Sequence, residues 1–228
     1  MKKSYLSLIS ITILVLVFIA NIASAQVTGP SDITTLPPTT TTGAGKIICA
    51  GTGISITGPQ DAGGVDYAAY RWYKIDASGT AQVVTGQTGR TYTEASGAPG
   101  YYNYQLVTIN SNGCESPISD VFGIFVLPPL TVNITAANPS MCAVAANTDL
   151  LTANVTPASG YVINYQWTRN GTAVGTNSST YAVTGETTAA TVTFGVTVSY
   201  LINPTCTQSA TKDIIIQPLP SKPMITAN

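Results

Sequence analysis

Cys49, Trp72 and Cys114 return 93, 95 and 92 residues later as Cys142, Trp167 and Cys206. The chemistry that four cysteines offer is thiol oxidation or metal ligation. The chain has no histidine and no Cys-x-x-Cys spacing, which argues against a zinc site, and no metal or other cofactor is expected. Four cysteines allow three disulfide pairings. The repeat selects Cys49 with Cys114 and Cys142 with Cys206, one bridge inside each of two similar modules. Each bridge would close a loop of about 65 residues, worth roughly 4 kcal/mol in the chain-entropy treatment.

The other reactive side chains are sparse. Without histidine the commonest general base is missing. The acids closest in sequence, Asp61 and Asp66, lie in the glycine-rich stretch Gln60 to Asp66. Two carboxylates there lack the dense acidic spacing of a calcium loop and read as a solvated turn. No set of residues forms a catalytic constellation, and a non-enzymatic role is expected.

Lys2 and Lys3, an apolar run from Leu6 to Ala20, and then Ala23-Ser24-Ala25 read as a secretory signal, with cleavage leaving Gln26 first. No second apolar run is long enough to span a bilayer, so no membrane span is expected after cleavage. Export to a secreted or cell-surface location fits the use of disulfides. Lys and Arg together number 9 against 10 acids, and the signal takes two of the lysines. Such a chain lacks the basic surface that neutralises phosphates, so no nucleic-acid partner is expected.

Residues 26–45 are rich in Thr, Pro and Gly and read as a disordered linker. Residues 46–126 and 127–217 then read as two all-β modules, with short strands separated by turn residues at sandwich spacing. Period two places Trp72 beside Tyr70, and Trp167 beside Tyr165, on inner faces. The same alternation puts Tyr102 and Phe194 in the two cores, followed by Tyr104 with Val196 and Leu106 with Val198. It turns Tyr73 and Tyr101 outward, where their rings could stack on sugars. Asn170-Gly171 signals a tight hairpin, with Ser78-Gly79 its looser counterpart. Residues 218–228 repeat the start of module two: Leu219-Pro220 and Ile225-Thr226-Ala227 echo Leu127-Pro128 and Ile134-Thr135-Ala136. They read as a linker and the first strand of a third repeat in a longer array.

The cysteine ahead of the second strand, the Tyr-x-Trp strand, the Thr-Tyr strand, Gly100-Tyr101-Tyr102 and Asn112-Gly113-Cys114 resemble the immunoglobulin-like and PKD-like repeats of secreted bacterial surface proteins. Module two departs from that pattern at Asn203-Pro204-Thr205-Cys206 and at Ala190 to Thr193. The resemblance implies two tandem immunoglobulin-like β-sandwich domains serving as a spacer or adhesin, with surface glycans or other surface proteins as partners. A glycan-binding accessory module, or the amino-terminal part of a larger secreted hydrolase, are the alternatives.

Overall fold

The computed structural model describes residues 29–32, 44–157 and 160–226. Residues 1–25, read as a secretory signal, and most of the Thr/Pro-rich leader lie outside those residues. All regular structure among the described residues is β. Module one contains β1 (Lys46–Ile48), β2 (Ile54–Thr57), β3 (Ala69–Ile75), β4 (Ala81–Val83), β5 (Thr91–Glu94), β6 (Gly100–Ile109) and β7 (Phe122–Val126). Module two contains β8 (Thr131–Ala136), β9 (Ser140–Cys142), β10 (Thr148–Thr156), β11 (Ile163–Arg169), β12 (Thr172–Val174), β13 (Thr180–Thr184), β14 (Ala190–Tyr200) and β15 (Thr207–Gln217).

The strand order is that of immunoglobulin-like sandwiches. In module one a five-stranded sheet β1-β7-β6-β3-β4 faces the pair β2-β5, and in module two β12-β11-β14-β15-β9 faces β13-β10-β8. Central strands pair antiparallel, and the short strands β1 and β9 each run parallel to the last strand of their module. Such Greek-key layers bury one face of each sheet, which is why the inward positions follow period two. The edge strands β1, β9 and β12 are only three residues long, too short for alternation to reveal them.

The predicted core residues Trp72, Tyr102, Trp167 and Phe194 are all buried. Trp72 packs on Tyr92 at 5.9 Å between ring centroids, and Trp167 packs on Tyr181 at 5.8 Å. Each indole N–H donates to a carbonyl that precedes the next strand, Gly89 in one module and Ser178 in the other. A buried indole donor is thereby satisfied in the same way twice. Asn170 and Gly171 both adopt positive φ, +47° and +81°, and connect β11 to β12 as a tight hairpin.

Two features depart from the sequence reading. Within the leader, Ser31 and Asp32 pair with Tyr101 through Ser31 N–H to Tyr101 O at 2.6 Å and Tyr101 N–H to Asp32 O at 2.9 Å. This stretch therefore lies against the β6 strand, where a disordered linker was expected. Gly100 makes the approach possible: its φ is +138°, and a Cβ there would meet Asp32 O at 2.5 Å. Module two has Ala190 at the matching position of its ladder.

The second departure is the disulfide pairing. Cys49 is bonded to Cys206 in the other module, with the Cα atoms 5.4 Å apart, and Cys114 and Cys142 are free and exposed. The expected bridges, Cys49 to Cys114 and Cys142 to Cys206, do not form because each pair sits at opposite ends of its own sandwich. Gln217, at the end of β15, pairs with Cys142, whereas Cys206 immediately precedes the start of β15. Eleven extended residues at about 3.3 Å each separate them by roughly 35 Å, far beyond the roughly 7 Å limit for Cα atoms joined by a disulfide. The same logic applies in module one, where Cys49 follows the β1 pairing with the end of β7, and Cys114 lies in the turn that precedes β7.

Candidate functional site

The junction between the modules is the most elaborated site in the molecule. From module one come Ile47 to Cys49 at the end of β1; Leu127 to Leu130 form the connection between β7 and β8; from module two comes the turn from Tyr200 to Cys206. The Leu127 amide donates to Ile48 O at 2.9 Å, which extends the β1–β7 pairing to the boundary. Asn203 Nδ2 donates across it to Ile47 O at 2.9 Å, and the Tyr200 hydroxyl donates to Pro128 O at 3.0 Å. Burial raises the Tyr200 phenol above its ordinary value, and Tyr161, with its ring centroid 5.1 Å away, adds to the shift.

Apolar packing crosses the boundary as well. Phe125 of module one and Leu127 and Leu130 of the connection belong to the same buried cluster as Trp167, Phe194 and Tyr200 of module two. Cys206 is buried in that cluster, and Cys49 packs against it half-buried. Pro128 and Pro129 lack amide hydrogens and fix φ, so the connection has little freedom even without the bridge. A rigid end-to-end joint, locked by one covalent bond, is what these residues build.

The other predicted sites are placed as follows. Tyr101 is half-buried under the leader, with its ring edge-on to Phe125 at 4.7 Å between centroids. Burial, followed by the Asp32 charge, raises its phenol pKa. Tyr73 is half-buried on the same sheet as Arg71, whose guanidinium makes a bidentate pair with Glu115 at 2.6 and 2.8 Å. That pairing raises the Arg71 pKa and lowers that of Glu115. Asp61 accepts the amides of Gly63 and Val65, and Asp66 faces Gln60 and Arg90. The two acids are thus engaged in separate turn contacts. No group of three or more potential metal ligands occurs among the described residues. No helix among them is long and apolar enough to cross a membrane.

Sequence reasoning missed a buried ionic cluster in module one. Lys74 is only 2% exposed and lies between strands, its Nζ 2.8 and 3.1 Å from the two Glu94 oxygens. The hydroxyls of Tyr92 and Tyr104 donate to the same carboxylate at 2.5 and 2.7 Å, and Nζ sits 5.0 Å from the centre of the Tyr102 ring. Alternation carried two residues beyond Trp72, and two beyond Tyr92, would have placed both charges inward. Module two has Val183 in place of Glu94, and its Arg169 reaches out to Glu186 at 2.7 Å. The Lys74 cluster is saturated: every polar atom found in it is paired, which makes it a tie between β3, β5 and β6.

No protein-family model matches the chain, and no curated protein matches it. Solved structures similar to it include an amphioxus IgVJ-C2 molecule, 18% identical with a TM-score of 0.38, the match covering 75% of this chain and 99% of that one. Three N-terminal domains of the bacteriophage RB49 outer capsid protein Hoc are 19% identical with a TM-score of 0.35, covering 75% of this chain and 56% of that one. The four N-terminal Ig domains of Dscam1 isoform 4.4 are 14% identical with a TM-score of 0.35, covering 85% of this chain and 45% of that one. The fold assignment rests on the strand order given above.

Replacing Glu94 by Ala strands a buried ammonium and should cost about 3–5 kcal/mol, whereas the double change Lys74→Leu with Glu94→Leu should cost far less. Urea unfolding of the two variants measures the difference. Burial, followed by the hydrogen bonds to Glu94, raises the Tyr92 and Tyr104 phenols. The unfolded phenols ionise near the ordinary value of about 10 while the folded ones stay protonated. Stability is therefore fully present below about pH 10 and falls as pH rises past it. Thermal melts between pH 8 and pH 11 should show this loss, and Tyr104→Phe should make it shallower.

Proposed function

We propose that the chain is an exported, non-enzymatic immunoglobulin-like repeat protein whose two modules act as a load-bearing spacer or adhesive arm at a cell surface. The observation that carries this reading is the Cys49–Cys206 bridge, which joins the two modules rather than closing either one. An arm pulled at its two ends transmits force through its shortest covalent path. Here that path leaves β1 at Cys49, crosses the disulfide, and continues from Cys206 straight into β15, which already runs extended along module two. The chain between the two cysteines is bypassed, and it contains thirteen of the fifteen strands.

The export signal at residues 1–25, the use of a disulfide and the low charge of the chain support placement outside the cell. Surface proteins or surface glycans are the partners such an arm would reach. Of the two tyrosines read as glycan contacts, Tyr73 is the more available, since Tyr101 is packed beneath the leader.

The mechanical reading predicts a specific force response. The sequence separation of 157 between the bridged cysteines corresponds to roughly 500 Å of extended chain, at about 3.3–3.6 Å per residue. Single-molecule pulling on the oxidised protein should release none of that length. Cys49→Ser should release it in two module-sized steps. Full release from the oxidised wild type would refute the proposal.

A further inference from the structure

The internal repeat makes the bonded pair and the free pair equivalent. Ile48 pairs with Val126 in module one as Met141 pairs with Ile216 in module two, so Cys49, just past β1, and Cys142, the last residue of β9, follow equivalent residues. Trp72 pairs with Leu106 as Trp167 pairs with Val196, so Ile109 and Ser199 correspond, and Cys114 and Cys206 each immediately precede the residue that pairs back with them, Glu115 and Thr207. Cys142 is thus a second copy of the strand-end half of the bridge, and Cys114 a second copy of the turn half. Each lies exposed at one outer end of the two-module unit.

We propose that this chain assembles head to tail with further copies of itself, Cys142 of one copy bonding to Cys114 of the next and repeating the Cys49–Cys206 joint. The Cys142 end carries uncovered apolar side chains at positions whose counterparts are covered at the internal junction. Ile215 is 46% exposed, and its counterpart Phe125 is 2% exposed. Met224 and Ile225 beyond β15 are 90% and 96% exposed, whereas Ile134, the residue that Ile225 repeats in sequence, is buried in β8. At the Cys114 end the turn is polar, Asn110 to Gly113. The Asn110 side chain accepts the amides of Asn112 and Cys114 and holds the turn in shape. The Arg71–Glu115 pair beside it leaves no unbalanced charge to repel an incoming module.

Such a contact uses two different surfaces, so it extends as an open chain instead of closing into a symmetric dimer. Bond formation needs a disulfide oxidant, supplied in an oxidising compartment by a small-molecule or protein disulfide. The Cys142 thiolate attacks the oxidant and releases one reduced thiol. The Cys114 thiolate of the next copy then displaces the second thiol and completes the new S–S bond. The two cysteines give up two protons and two electrons, and the oxidant's disulfide becomes two thiols.

The test mixes single variants of the full chain in a redox buffer of reduced and oxidised glutathione. Both positions are exposed, so Cys114→Ser and Cys142→Ser should fold, and an intact Cys49–Cys206 link in the same mass map verifies it. Wild type should give a ladder of disulfide-linked species, and each variant alone should stay monomeric. An equimolar mixture of the two variants should give dimers and nothing larger, with the only new link joining Cys142 to Cys114. Dimers from either variant alone, comparable to those from the mixture, would mean random thiol coupling and would overturn the proposal. The absence of any ladder from wild type would overturn it equally. The proposal depends on the bridge and not on the mechanical role, so it can fail while the pulling result stands.

Discussion

The bond between Cys49 and Cys206 closes a loop containing most of both sandwiches, and the relation between the modules depends on it. In the chain-entropy treatment a loop defined by a separation of 157 residues is worth about 5 kcal/mol. That stabilisation belongs to the two-module unit and not to either fold alone. The bridge also selects which surfaces must be apolar: the far end of module one and the near turn of module two share a single buried cluster. The hydrogen bonds of Asn203 and Tyr200 across the boundary keep its buried carbonyls satisfied.

Inside each module a different force dominates. The indole, phenol and phenyl rings of Trp72, Tyr92 and Tyr104, and of Trp167, Tyr181 and Phe194, form the centre of each sandwich. Module two buries a carboxylate, Asp149, which accepts the amides of Asn138 and Leu150, whereas module one buries an ion pair. There Lys74 and Glu94 tie three strands together at a desolvation cost that their four close hydrogen bonds offset. The two modules thus solve the same packing problem with partly different chemistry, while their tryptophans and cysteines keep equivalent positions.

The layout of the sandwiches was legible because period-two alternation is a local signal. Tyr102, Tyr104 and Leu106 all turn inward as their spacing requires, and Asn170-Gly171 forms the turn that its residues favour. The short strands β1, β9 and β12 were not legible, since three residues hold too little alternation, and β1 and β9 owe their existence to parallel pairing with a distant strand. The disulfide pairing was misread for the same reason. A repeat in sequence shows which cysteines are equivalent, but only the direction of β1 and β9 shows that the two cysteines of one module lie at its opposite ends. The leader was misread at Ser31 and Asp32 because their anchor is backbone pairing to Tyr101, to which composition is blind.

The central claim is that the covalent link runs between the modules, and peptide mapping of the oxidised monomer tests it directly. With free thiols alkylated before digestion under non-reducing conditions, the account predicts a single cross-linked pair containing Cys49 and Cys206, with Cys114 and Cys142 both alkylated. Cross-linked pairs of Cys49 with Cys114 and of Cys142 with Cys206, leaving no alkylated cysteine, would contradict it.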